Sequence, residues 1–155
     1  MEISVYDEKI GSERLSADEL AAIGPLHLSA GERVEGASGR AVDFLQWYAA
    51  WRARKGGESH PMPRRLEVRA ADEFEAAVPW AQLDRALLLY RQEDGQPLRK
   101  GFPLRLYVPD GSSECLNVKS VVEIRFRYEG DAQDGADYGF RNKISPDQLL
   151  KRGAN

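Results

Sequence analysis

The sequence predicts one mixed α+β domain spanning residues 1–155, with a mixed β-sheet and flanking helices. Three observations predict it. Apolar residues alternate with charged ones in RRLEVRA and in NVKSVVEIRFRY, the period of half-buried strands. Apolar residues recur at helical spacing in AVDFLQWYAAWRARKGG and in WAQLDRALLLY. The two kinds of segment are interspersed without a regular βαβ rhythm, so at least part of the strand pairing is expected to be antiparallel.

The elements are expected in the following order. The polar start MEISVYDEKIGSERL offers no ordered element, and the first is a helix in LSADELAAIG. Ser16 and Glu19 have the spacing of a capping box, and Gly24 with Pro25 ends the helix. Leu26 to Leu28 reads as a short strand and Ser29 to Gly39 as a loop. A helix follows with Val42, Leu45, Tyr48 and Ala49 on one face, and Arg52 and Lys55 near its C-terminal end. GGESHPMPRR is a loop. RRLEVRA and DEFEAAVP are partner strands. Trp80, Leu83, Leu87 and Tyr90 form the apolar stripe of a helix. After the EDGQP turn comes the strand FPLRLYVPDG, framed by prolines. In the last strand Val122, Ile124, Phe126 and Tyr128 share a face. GDAQDGADYG reads as a loop, and Ser145 with Pro146 opens a final helix. The region Arg65 to Tyr128 is expected to form one sheet-and-helix unit, with Leu66, Val68, Leu87, Leu104, Leu106, Ile124 and Phe126 in its core.

Composition narrows the function classes. Hydrophobic residues are 42% and charged residues 30% of the chain, the range of a folded globular protein. The formal net charge of −3, from 22 basic and 25 acidic residues, argues against a dedicated nucleic-acid surface. No apolar run approaches the roughly 20 residues of a spanning helix, so no membrane partner is expected and the expected location is the cytoplasm. The one cysteine, Cys115, can form neither an internal disulfide nor a cysteine-based zinc site.

Common catalytic patterns are absent: no glycine-rich phosphate loop, no histidine pair at helical spacing, no Gly-x-Ser-x-Gly elbow. His27 and His60 each stand alone and read as structural. Cys115 reads as an ordinary small residue in a loop. Among the cations Arg64, Arg65, Arg69, Arg85, Arg91, Arg99, Lys100, Arg105 and Lys119, most read as solvated faces. Arg105 differs, because it interrupts the apolar strand PLRLYV. A guanidinium there needs exposure or an anionic partner. It reads either as an edge-strand surface residue or as part of an anion site shared with Lys119.

The run ALLLYRQEDGQPLRKGFPLRLYVPDG, followed by NVKSVVEIRF, resembles the oxidoreductase molybdopterin-binding domain of the sulfite-oxidase family. That family shows "ALLAY" (expected to end a helix), "NGEPLP", "PLRLVVPG" and "VKW" in this order. The counterparts here are Ala86 to Tyr90, Asp94 to Leu98, Gly101 to Pro109 and Val118 to Ser120. The similarity is clearest over Arg65 to Phe126. The segment SGRAVDFLQWYAA is more weakly similar to the stretch leading into the family's "DLL" helix. The resemblance implies that Arg105 and Lys119 hold the phosphate and ring system of a pterin cofactor. Four departures set the chain apart. The region Leu26 to Arg40, where the resemblance places the metal-ligating cysteine, has none. Cys115 lies on the wrong side of the PLRL strand, and His27 and Ser29 are no substitutes for a thiolate. Ser120 stands for the tryptophan of "VKW". The glycine-rich stretch is shortened to GSSECLN.

The expectation is therefore a degenerate, non-catalytic relative that keeps the fold as a binding or interaction module for a small anion or a protein partner. No metal and no cofactor are expected, molybdopterin entering only with an intact family pocket. The alternative is a molybdopterin-dependent oxidoreductase with an atypical metal site.

Overall fold

In the computed structural model, which describes residues 1–129 and 135–140, the chain opens with an antiparallel hairpin of β1 (Glu2–Asp7) and β2 (Gly11–Ser16). This corrects the expectation that the polar start holds no ordered element. Ile3, Val5 and Asp7 are buried while the residues between them are not, the period of a strand. The inward set has only two apolar members, so the stretch reads as polar.

The helix α1 (Ala17–Ile23) carries the expected capping box: Ser16 Oγ accepts from the Glu19 N–H at 3.1 Å, and Glu19 accepts from the Ser16 N–H at 2.8 Å. A Cβ on Gly24 would sit 2.3 Å from Val42 Cγ2, so only glycine lets the helix end so close to the next layer. β3 (His27–Ser29) is the short strand expected nearby, and a 3-10 turn, Ala30–Glu32, lies within the stretch read as loop. β4 (Arg40–Asp43) takes the first residues of the expected helix, and α2 (Phe44–Arg54) begins where Asp43 caps the Gln46 N–H at 2.8 Å. That cap sets the helix phase. Phe44, Trp47, Tyr48 and Trp51 are buried, whereas Leu45 is half-buried, Ala49 is exposed and Val42 belongs to β4.

β5 (Arg65–Ala70) and β6 (Phe74–Pro79) pair as expected. The next expectation is overturned. Trp80 to Tyr90 is not a helix but a 3-10 turn, Trp80–Gln82, leading into β7 (Leu87–Arg91). Leu88 packs in the main core and Leu87 and Leu89 in a second cluster, so β7 is buried on both faces. A continuous apolar run is what such a strand requires, and it imitates a buried helix. β8 (Arg105–Tyr107) lies in the expected proline-framed stretch. In β9 (Val121–Arg127) a register shift opposite Arg69 and Ala70 turns Val121 inward and leaves Val122 half-buried, so Val122 does not share the face of Ile124 and Phe126. β10 (Asp137–Phe140) replaces the end of the expected loop and pairs with β6. The helix expected at Ser145 and Pro146 lies outside the described residues.

Two sheets result, ordered β10-β6-β5-β9-β1-β2 and β3-β4-β7-β8. The first is mixed, since β1 and β9 are parallel; the second is antiparallel throughout. With α1 and α2 they make one small α+β domain. Arg65 to Tyr128 is thus divided between two sheets rather than forming one. The seven core residues expected in it are all buried, with Leu87 in the second cluster. The main core joins Ile3, Val5, Leu66, Ile124 and Phe126 of the large sheet to the α2 aromatics and to Leu88 and Leu106 of the small sheet. The second cluster, with Leu89, Leu98 and Tyr107, positions Arg105.

Candidate functional site

Alternation along β8 sends Leu106 into the main core and puts Arg105 with Tyr107 on the other face. The Arg105 guanidinium lies 4.9 Å from the Tyr107 ring centroid, a cation–π contact that restrains it. Gly101 backs its stem: at φ +82°, a Cβ would come within 2.5 Å of Arg105 Cγ and Cδ. Arg105 lines a depression of about 460 Å³, together with Arg99, Lys100, Gln92, Glu93, Asp94 and Ser38.

The charge distribution there is uneven. Among the described residues, Arg99, Lys100 and Arg105 form no ion pair. Nearby Arg91, by contrast, grips Asp18 with two nitrogens and gives a third hydrogen bond to the Gly95 carbonyl. That grip holds the Asp18 carboxyl below the usual aspartate range, against the upward push of partial burial. The two carboxylates of the depression are engaged by backbone: Glu93 accepts from the Gly39 N–H at 3.0 Å and Asp94 from the Gln96 N–H at 3.0 Å. Each carboxylate keeps further acceptor capacity, and the three cations keep donors that no carboxylate takes up in an ion pair. Arg105 is held by Gly101 and the Tyr107 ring, whereas Arg99 and Lys100 are exposed beside it in the lining. Guanidinium and ammonium groups are donors that suit a phosphate.

Lys119 is exposed and is not part of that lining. It precedes Ser120, whose φ of +55° is unusual for a residue with a Cβ. The Ser120 N–H donates to the Gly101 carbonyl at 3.2 Å, which anchors the lysine beside the turn that backs Arg105. Sequence reasoning singled out Arg105 and passed over Arg99 and Lys100. Their signal was position alone, in a PLRKGFP stretch where prolines and glycine fix the backbone.

The donor set suits an anion better than a metal. Cys115 is exposed on a 3-10 turn, Glu114–Leu116, outside the depression. His27 has both ring nitrogens occupied, by the Gly24 carbonyl at 2.9 Å and the Tyr90 hydroxyl at 3.0 Å, in keeping with a structural role. Among the described residues no three His, Cys, Asp or Glu side chains converge. The lining of the depression offers no soft ligand for a metal.

A second cluster was not foreseen. Asp7 is buried at the end of β1, where Oδ2 accepts from Tyr48 Oη at 2.9 Å and Tyr128 Oη at 2.7 Å, and Oδ1 accepts from the Lys9 N–H at 3.0 Å. Buried Arg52 donates to Tyr48 Oη at 3.3 Å and to the Pro61 carbonyl at 3.1 Å. Burial, aided by the Asp7 charge, pushes the Tyr48 phenol up to about 12, and burial pushes the Tyr128 phenol up as well. The network ties β1, α2, β9 and the loop before β5 together. Its members come from four distant segments, so no local pattern announces it. Compared with protein-family models and with curated proteins, the chain finds no match.

Proposed function

We propose that this chain is a non-catalytic, molybdopterin-binding-like module with a sulfite-oxidase type of fold, and that it holds a small phosphate-bearing anion in the Arg105 depression. The order of the motifs from Ala86 to Ser120 supports the kinship. The observation that carries the binding role is the set of unpaired cations, Arg99, Lys100 and Arg105, around one concavity. Three cations face two carboxylates, Glu93 and Asp94, in that lining, so the concavity keeps a positive excess that an anion offsets. A dianionic phosphate gains most from a fork and an ammonium side by side.

Binding of phenyl phosphate, followed by calorimetry, tests the proposal. Saturable binding is expected, weakening with added salt because the cations are partly exposed. Arg105→Ala should weaken it about tenfold, the loss of one charge-assisted contact of ~1.4 kcal/mol. Binding that is untouched by Arg105→Ala, or absent at millimolar ligand, rejects the site.

A further inference from the structure

From the buried aromatic core we infer that Tyr48 is a redox-active tyrosine: a one-electron hole introduced into this protein settles on its phenol, and the phenol proton passes to Asp7. The site lies apart from the Arg105 depression and shares no residue with it. Its parts are an electron route, a base and a shield.

The route comes from the tryptophans. The chain has three, and ring contacts join all of them to Tyr48. Trp80 meets the Tyr48 ring edge-on at 5.1 Å between centroids, Trp51 lies at 6.4 Å, and Trp47 stacks on Trp51 at 6.2 Å. These are the separations of rings in contact. Electron exchange between rings falls steeply with distance, so contact favours it. Trp47 and Trp51 are fully buried whereas Trp80 is half-buried, so Trp80 is the indole that an oxidant in solution reaches.

The base is Asp7. A phenol that loses an electron becomes a strong acid, and a neutral phenoxyl radical forms only if the proton leaves. Tyr48 Oη donates to Asp7 Oδ2 at 2.9 Å, so a carboxylate stands within reach of that proton. Arg52 donates to the same phenol oxygen at 3.3 Å and still caps it once the proton has gone. The shield is burial: Tyr48 is fully buried, with the Phe126 ring 4.3 Å away, so reductants in solution do not touch the radical. Two other tyrosines meet part of this chemistry. Tyr128 also donates to Asp7 Oδ2, and Tyr90 has His27 Nδ1 at 3.0 Å, but among the described residues neither ring contacts a tryptophan.

The step balances with a one-electron oxidant such as an outer-sphere metal complex. The oxidant takes an electron from Trp80 and leaves an indole cation radical. Tyr48 then gives an electron to Trp80 and its proton to Asp7. Trp80 returns to its neutral form, and a Tyr48 phenoxyl radical remains beside a protonated Asp7 carboxyl. The indole cation radical is the stronger oxidant of the two, because the phenol sheds its proton as it is oxidised.

Flash oxidation of the whole protein by a photogenerated ruthenium tris-bipyridine oxidant, followed by transient absorption and freeze-quench electron paramagnetic resonance, tests the site. The indole radical signal should decay as a phenoxyl signal grows, and more slowly in heavy water, because the proton moves with the electron. Tyr48→Phe keeps the ring and removes the phenol. It should abolish the main phenoxyl signal and leave the indole radical longer-lived. Trp80→Phe should slow phenoxyl formation, while Tyr90→Phe and Tyr128→Phe should keep it. Near-ultraviolet circular dichroism establishes that each variant retains its packed core. A phenoxyl signal that survives Tyr48→Phe at full amplitude, one that is lost with Tyr90→Phe, an indole decay with no solvent isotope effect, or no phenoxyl signal at all overturns the inference.

Discussion

A guanidinium inside an apolar strand must find an anion, an aromatic face or water, and this requirement made Arg105 legible from its neighbours alone. What it finds is the Tyr107 ring and an open depression. Asp7 was illegible for the opposite reason. It sits in a polar stretch, and only the fold brings Tyr48, Tyr128 and Arg52 to it. The Asp7 network predicts a pH dependence. In the folded protein the Tyr48 phenol is held protonated to about 12, against an ordinary value of 10.0. Folding therefore favours the protonated phenol. This contribution is fully present below pH 10 and is lost as pH rises through the folded value, at up to ~1.4 kcal/mol per pH unit. Tyr48→Phe should lower stability near neutrality by about 1–3 kcal/mol, because Asp7 loses a donor. It should also make the fall between pH 10 and 12 shallower, with Tyr128 retaining part of it. Urea midpoints at stepped pH measure both, and a slope unchanged by the substitution removes the account.

At the scale of the element, patterns that belong to one segment were readable and patterns set by two layers were not. The capping box at Ser16 and the alternation of β5 depend on nearest neighbours, and both are as expected. The segment from Trp80 to Tyr90 depends on what covers it. Helical spacing of Trp80, Leu83, Leu87 and Tyr90 arose from a 3-10 turn followed by a strand with apolar residues on both faces. The β9 bulge is likewise invisible in alternation, since one extra residue reverses the faces beyond it. Leu89 separates the two readings of the Trp80–Tyr90 segment. On a helix with that apolar stripe it would point away from the core, and truncation would be nearly neutral. In β7 it is 2% exposed and packs in the second cluster. Leu89→Ala should therefore cost about 2–5 kcal/mol in chemical denaturation. A cost below ~0.5 kcal/mol, typical of surface sites, contradicts the strand.

For the whole molecule, the fold class was readable because strands and helices alternate irregularly, whereas the division into two sheets was not, because no single strand carries it. No helix among the described residues is long and apolar enough to cross a membrane. At this scale the ligand inventory predicts that the chain carries no molybdenum. The chain has one thiol and two imidazoles. The thiol is exposed on its own turn, outside the Arg105 depression, and His27 spends both nitrogens on Gly24 and Tyr90. A pterin could be gripped at its phosphate by Arg99, Lys100 and Arg105, yet the metal would lack the thiolate that makes a soft, charged bond. Without that bond a cofactor would be held by its phosphate contacts alone, whereas a simple phosphate ester needs no more than those. Protein purified from cells able to make the cofactor should accordingly carry no stoichiometric molybdenum or tungsten by mass spectrometry. It should still bind phenyl phosphate. Close to one metal per chain would replace the non-catalytic reading with an oxidoreductase of unusual ligation. Cys115→Ser would then decide whether the one thiol had been recruited: metal lost with the sulfur identifies it as the ligand, and metal retained assigns the bond to another donor.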